Sequence, residues 1–249
     1  MTEPDGARKL SIRAVLREAV ADGRSRFWLL LVAAVVVFLP IGLFELTVAE
    51  GLEEVDSDDP GGFPLVAAIG AAVAFTVTAT LGDVFYTGVV AAIVAEEREG
   101  IRHELGDVLR HLPYLRLLAI DLIFAVIVAI GLVLLIVPGL VAFAWFGLAA
   151  PVAKVESRGV RDAFRRSREL VRGSSGRVLA LLLPAILIGD LLAELLVGAV
   201  ESAFGDGSGI EVLGSVAVEM LTAPIFALVA VVATHHLIAL DAGREPAAP

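Results

Sequence analysis

Five carboxylates stand inside the predicted spans, where an ionisable group is costly and is a candidate for function by default: Asp83, Asp121, Asp190, Glu194 and Glu219. Asp83, Asp190, Glu194 and Glu219 are each at least 13 residues from the nearest Lys or Arg. Without a basic partner, such acids are protonated, hydrogen-bonded to neighbours or bound to a cation. One hypothesis is a proton or small-cation site formed by Asp190, Glu194 and Glu219, with Asp83 as a further member. The sequence alone favours the simpler interpretation that these acids line a wet vestibule or approach the lipid headgroups.

A second set of charged side chains lies along one predicted helix. Its apolar positions form a narrow face: Val160, Ala163, Phe164, Ser167 and Val171. Its arginines follow at intervals of four, three and four residues, on a flank beside that face: Arg161, Arg165, Arg168 and Arg172. A helix of this kind lies in the headgroup layer, so we predict that these arginines contact the phosphates of anionic lipids.

Motifs for catalysis or metal binding are missing from the sequence. There is no cysteine, no nucleophile elbow, no phosphate-binding loop and no zinc-protease helix motif. The adjacent His235 and His236 point about 100° apart on a helix, which favours an anchor at the membrane interface over a metal or proton-relay pair. We predict no cofactor, no metal and no enzyme activity, with a membrane-embedded lipid enzyme as the remaining enzymatic alternative.

The composition identifies the elements that must position these side chains. Hydrophobic residues make up 58% of the 249 residues and charged residues 19%, against about a quarter charged in soluble domains. The net charge of -10 argues against a nucleic-acid partner. We predict an all-α, polytopic membrane bundle in one domain, residues 1–249, with disordered tails at 1–8 and 242–249. Six transmembrane helices are expected at about 27–48, 64–94, 115–137, 140–155, 178–200 and 212–240.

The third and fourth spans share one uncharged stretch. Leu122–Ala153 contains 32 residues without a charge, about 48 Å of straight helix and too long for a single crossing. Pro138-Gly139 within it predicts a turn, so we expect a helical hairpin. A re-entrant half-span after the turn is the competing interpretation, and the distribution of basic residues favours the full crossing.

All 19 Lys and Arg residues fall on one side of a six-span arrangement, and the loops of the opposite side are acidic. Basic residues near span ends mark the cytoplasmic side. We therefore predict a multi-pass protein of the cell membrane with both termini in the cytoplasm.

A short pattern precedes each pair of spans, at Ile12–Arg17, Leu105–Arg110 and Val160–Arg165. Each copy has apolar residues four apart followed at once by Arg, which on a helix gives an apolar face beside a basic flank. The pattern predicts three units of cytoplasmic surface helix plus hairpin, and such repeats occur in transporters. The alternative is that many multi-span proteins place basic amphipathic helices before their spans.

One segment resembles a known group of proteins. The stretches Val137–Leu140, Ala150–Ala153, Val160–Gly173 and Val178–Leu183 look like a six-span membrane family of unknown function, of a type common in halophilic archaea. That family is related to the membrane domain of some glycerophosphoryl diester phosphodiesterases. The resemblance implies a six-span fold and no catalytic residues. The soluble phosphodiesterase barrel is a separate domain of roughly 250 residues, so its activity is not implied.

These observations favour a non-enzymatic integral membrane protein that organises the envelope or binds a partner. The alternative is a small permease or channel-like transporter of an ion or small solute. A transporter should bring Asp83, Asp190 and Glu219 onto one polar path, whereas a scaffold should leave them dispersed.

Overall fold

The computed structural model describes residues 10–53, 63–98, 114–134, 136–205 and 208–243, and within these ranges the chain is helical and has no strand. The helices are α1 (Ile12–Ser25), α2 (Phe27–Glu53), α3 (Phe63–Arg98), α4 (Tyr114–Leu134), α5 (Ile136–Phe146), α6 (Ala149–Val155), α7 (Val160–Val171), α8 (Ser175–Phe204) and α9 (Ser208–Asp241). The all-α prediction is confirmed. The predicted tail 1–8, the second copy of the repeat at Leu105–Arg110 and residues 244–249 lie outside the described residues.

Four segments are long and apolar enough to cross a membrane: Phe27–Gly51, Pro138–Val155, Ser175–Ala203 and Val212–Asp241. They coincide with four of the six predicted spans. The other two predicted spans fall on α3 and α4. The segment Pro138–Val155 is interrupted by a turn at Gly147 and Leu148, which separates α5 from α6.

Helices α4 and α5 form a hairpin. The rings of Phe124 and Phe143 lie 5.9 Å apart, whereas a straight helix would separate these residues by about 28 Å. Helix α4 ends at Leu134 and α5 begins at Ile136, so the chain reverses before the predicted turn at Pro138-Gly139. Pro138 is the third residue of α5, in the first turn, where a missing backbone N–H is tolerated.

The tightest packing lies at one end of the bundle, which we call the termini end because α1 and the last turns of α9 meet there. A buried contact joins Glu18 of α1 to His236 of α9, with 2.6 Å between Oε2 and Nε2. The core at this end includes the fully buried stretch Val89–Ala92 of α3 and Ala230–Ala233 of α9. The first and last described helices therefore lie on the same side of the bundle.

Helices α6 and α7 complete the termini end. Every residue from Leu148 to Ala153 is buried, so α6 packs inside the protein. The buried residues of α7 are Ala163, Ser167, Leu170 and Val171, which agrees with the predicted apolar face except that Leu170 is added and Val160 and Phe164 are partly covered. Ser167 Oγ donates a hydrogen bond of 2.7 Å to the Trp145 carbonyl. The apolar face of α7 is thus covered by protein, and its arginine flank faces outward.

Arg166 links three segments of the termini end. Its guanidinium lies 3.1 Å from Glu156, in the turn after α6, and 2.7 Å from Asp241 at the end of α9. Arg158 also donates to Glu156. Partial burial alone would raise the pKa of Glu156, but the hydrogen bonds and charges of Arg166 and Arg158 outweigh it and hold that pKa below its usual range.

The lowered pKa of Glu156 predicts a pH dependence of stability. A carboxyl with a depressed folded-state pKa stabilises the fold fully above its unfolded pKa of about 4.3 and loses this effect as the pH falls through the folded value. We expect Glu156→Gln to lower the melting temperature at pH 7 and to differ progressively less from the native protein below about pH 4. Thermal unfolding in detergent between pH 7 and 3 measures this. Glu50→Gln, at an exposed position of α2, is the control. If the difference in melting temperature between Glu156→Gln and the native protein does not become smaller as the pH falls, the prediction is contradicted.

Candidate functional site

A cavity of about 480 Å³ lies among five helices, α3, α4, α5, α8 and α9, and three of the predicted acids line it. Asp83 comes from α3, Asp190 from α8 and Glu219 from α9. The remaining lining residues are Phe124, Phe143, Ala185, Ile186, Gly189, Ala193, Val197, Ser215, Thr222, Ala223 and Phe226. The structure therefore brings together acids that are separated by up to 136 positions in the sequence.

The spacing of the lining residues explains why these side chains face the same space. On α9, Ser215, Glu219, Thr222 and Phe226 follow at intervals of four, three and four residues. On α8, the lining positions 186, 190, 193 and 197 repeat the same intervals. Such intervals hold side chains on one face of a helix. Each of the two helices thus presents a complete face, with one acid on it, to the cavity.

Asp83 reaches the cavity from the middle of the bundle. Its neighbours Gly82 and Tyr86 are buried, yet Asp83 itself is exposed, because its side chain borders the open space. The carboxylate lies within electrostatic reach of Asp190, and Glu219 lies within reach of both Asp83 and Glu45. The cavity therefore gathers carboxyl groups.

Glu45 extends the acidic group beyond the residues predicted from sequence. It is partly buried on α2 and accepts a hydrogen bond from Thr78 Oγ1 of α3. The sequence signal was available, since Glu45 interrupts the apolar stretch of the first span. Glu45 was not predicted to join the acidic group, because it lies near the predicted outer loop, where acids are expected to be solvated.

Aromatic side chains form much of the remaining wall. Phe124 and Phe143 are a tilted pair with ring centroids 5.9 Å apart, and Phe226 joins them from α9. These phenylalanines were not predictable from the sequence, because a phenylalanine in an apolar span has no distinguishing pattern. The face of a phenyl ring has a negative electrostatic potential, which attracts cations.

The cavity is closed toward the termini end by packed side chains. One turn from Asp83, Tyr86 is fully buried and packs on Phe38, with 5.6 Å between ring centroids. The Tyr86 hydroxyl donates a hydrogen bond of 3.0 Å to the Leu30 carbonyl. Along α8 and α9, Leu182 and Ala227 are fully buried as well. No comparable core surrounds the cavity on its other side within the described residues, where Glu50 and Glu201 are at least partly exposed.

One predicted member of the acidic site does not join the cavity. Glu194 is exposed on α8 and is not part of the lining. His236, which the sequence favours as an anchor at the membrane interface, is buried and contacts Glu18 at the termini end. Among the residues that the structure describes, no three His, Asp or Glu side chains come close enough to hold one metal ion.

The four arginines predicted to contact lipid are all exposed on α7. Three of them line a second cavity of about 570 Å³ together with Trp145, Glu169, Gly173 and Ser175: Arg165, Arg168 and Arg172. Arg161 lies outside this cavity. The structure thus separates one arginine from the other three, which the even spacing in the sequence did not indicate.

The chain matches no protein-family model, no curated protein and no solved structure. The resemblance to the membrane domain of glycerophosphoryl diester phosphodiesterases stays a prediction.

Proposed function

We propose that this chain is a multi-pass membrane protein that acts as a small permease for cations. The observation that supports this proposal most is that Asp83, Asp190 and Glu219 line one cavity. A scaffold has no need to gather acids from three helices around one space. Acids in apolar segments also cost free energy, which favours a role that uses their charge.

The proposed topology has six spans and both termini in the cytoplasm. The contact between Glu18 and His236 supports an even number of crossings, because it holds α1 and the end of α9 on one side. Arg116 at the start of α4 donates to the Arg158 carbonyl, which supports placing the basic residues of α1, α4 and α7 on that same side. An excess of Lys and Arg marks the cytoplasmic face, so the termini end is proposed to face the cytoplasm.

The walls of the cavity favour a monovalent cation with an apolar body. Carboxylates attract the charge, and the rings of Phe124, Phe143 and Phe226 suit alkyl groups and the cation–π contact that quaternary ammonium ions make. The packed floor around Tyr86 closes the path toward the termini end. The described conformation is proposed to be the outward-facing state of the permease.

Counterflow in proteoliposomes tests the proposal. Vesicles that contain the purified protein are loaded with unlabelled tetramethylammonium, and the uptake of external labelled tetramethylammonium is measured. This ion stays charged, so it does not leak through the bilayer as a neutral base. Two unit charges about 4 Å apart interact with an energy of about 4 kcal/mol at an effective dielectric constant of 20. We therefore expect the variant that carries both Asp190→Asn and Glu219→Gln to take up labelled tetramethylammonium at least about tenfold more slowly than the native protein.

Glu194→Gln is the matched control, because Glu194 lies one turn from Asp190 on the same helix but outside the cavity. It should retain the uptake of the native protein. Uptake that is unchanged in the Asp190 and Glu219 variant contradicts the cation site. If the native protein gives no uptake above empty vesicles, and the same holds for labelled Na⁺, the partner-binding role replaces the permease.

A further inference from the structure

The second cavity has the composition of an anion site. Its charged lining residues are Arg165, Arg168, Arg172 and Glu169, so three positive charges against one negative charge leave a net charge of +2. A volume of about 570 Å³ falls in the range of about 300–1,000 Å³ that small-molecule pockets occupy. We propose that this cavity binds the phosphate headgroup of an anionic phospholipid, as a discrete site rather than as part of a diffuse basic surface.

Trp145 holds one of the arginines in position. The Arg168 guanidinium carbon lies 4.5 Å from the centre of the Trp145 ring. A cation–π contact orients the guanidinium and uses none of its N–H donors, which stay available for two oxygens of a phosphate. The Trp145 carbonyl is itself held by Ser167 from the buried face of α7. The ring and the arginine are therefore positioned by the packing of α5 against α7.

The turn between α7 and α8 sets the other side of the cavity. Gly173 has a φ of +87°, a left-handed conformation that favours glycine. This turn places Arg172 at the end of α7 only three residues before Ser175, the first residue of α8. The first turn of a helix presents backbone N–H groups and a partial positive charge, and here both add to the charge of the arginines.

The arginines of the cavity differ in how much of their charge is available. Arg165 lies 2.8 Å from Asp162 and 3.8 Å from Glu169, so its charge is partly balanced. Within the described residues, neither Arg168 nor Arg172 forms a salt bridge. Both are exposed. The phosphate is thus expected to contact Arg168 and Arg172, with Arg165 at the edge of the site.

A membrane lipid is favoured over a soluble phosphate by the surroundings. Trp145 belongs to a segment apolar enough to cross a membrane, so the cavity borders apolar helix surface that the acyl chains of a bound lipid can contact. Because the apolar face of α7 is covered by protein, this face does not insert into the bilayer. The arginines are therefore the side chains through which α7 contacts the headgroup layer. The phosphate of a phosphatidylglycerol matches this position, with its acyl chains toward the apolar helices.

Fluorescence of Trp145 tests the site directly. The chain has two tryptophans, so Trp28→Phe leaves Trp145 as the sole reporter in the full-length protein in neutral detergent. We expect phosphatidylglycerol to change the Trp145 emission in a saturable way, and phosphatidylcholine to have little effect. Arg168→Gln and Arg172→Gln should each weaken the apparent Kd by about tenfold. Arg168→Lys should weaken it nearly as much, because an ammonium does not reproduce the two-donor geometry of a guanidinium.

Arg161→Gln is the matched control, since Arg161 belongs to the same exposed row but not to the cavity. If Arg161→Gln weakens binding as much as Arg172→Gln, or if Arg168→Lys binds like the native protein, a diffuse basic surface replaces the discrete site. If free glycerol phosphate binds as tightly as phosphatidylglycerol, the lipid assignment is overturned. Because the readout is lipid binding at the termini end, its result is independent of tetramethylammonium uptake through the acidic cavity.

Discussion

Replacing His236 with leucine is expected to lower the free energy of unfolding by about 3 kcal/mol. Glu18 and His236 are 8% and 4% exposed, and their closest atoms are 2.6 Å apart. Removing one side of a buried contact leaves the other side in an environment that was built for its partner, and a carboxylate suffers more from this than a neutral group. Glu18→Leu should have an effect of similar size, for the same reason.

The double variant distinguishes a specific contact from two independent packing defects. Two leucines in place of Glu18 and His236 remove both polar groups at once, and such replacements of buried polar pairs are often close to neutral. We expect the double variant to be more stable than the sum of the single effects by at least about 1 kcal/mol. Chemical unfolding in detergent measures all three variants. Arg17→Gln, exposed on the same helix, is the control and should change the stability by no more than about 0.5 kcal/mol. Strictly additive effects would show that the two side chains are not coupled.

The contact between Glu18 and His236 could not be predicted from the sequence. The amphipathic pattern of α1 and the long apolar stretch of α9 each predict a helix. Glu18 and His236 are 218 residues apart, and nothing in either local pattern indicates the other. A histidine near the end of a span was therefore assigned to the membrane interface, whereas tertiary packing places it in the core.

The acidic cavity shows a related limit. Hydropathy predicts which residues form a span, but it does not predict how the helix is rotated about its own axis. Asp190 and Glu194 are about 40° apart on α8, since four residues exceed one turn only slightly. The lining of the cavity runs through positions 190, 193 and 197, and the rotation of α8 leaves Glu194 outside that lining. The sequence predicts that Asp190 and Glu194 share a face of α8. Which of the two reaches the cavity depends on the rotation of α8 about its axis, and the neighbouring helices determine that rotation.

The length of the uncharged stretch predicts the hairpin of α4 and α5. The Pro-Gly pair in that stretch predicts the turn at the wrong residues. Thirty-two uncharged residues exceed one crossing whatever their contacts, so a reversal was required. Proline and glycine mark turns statistically, but proline is equally at home in the first turn of a helix. Pro138 takes that second role. The helix breaks instead at Gly147 and Leu148, where a single glycine in an apolar stretch predicts a turn less strongly than a Pro-Gly pair does.

Tyr86 carries the second large stability effect that we expect. Its side chain is fully buried between α2 and α3, against Phe38 and the Leu30 carbonyl. Tyr86→Ala should lower the free energy of unfolding by on the order of 3 kcal/mol, through the space it leaves among side chains that cannot fill it. Tyr86→Phe keeps the ring and loses only the hydrogen bond, so we expect a loss of about 1 kcal/mol.

The comparison between these two variants separates packing from hydrogen bonding in the floor of the cavity. Phe44→Ala is the control, because Phe44 lies on α2 as well but is 51% exposed, and its removal should leave the stability nearly unchanged. Thermal unfolding of the full-length protein in detergent measures the series. Equal losses for Tyr86→Ala and Tyr86→Phe would mean that the hydroxyl, and not the ring, holds α2 against α3. If the ring does so, Tyr86→Ala also opens the floor toward the termini end, and vesicles with this variant should leak tetramethylammonium that vesicles with Tyr86→Phe retain.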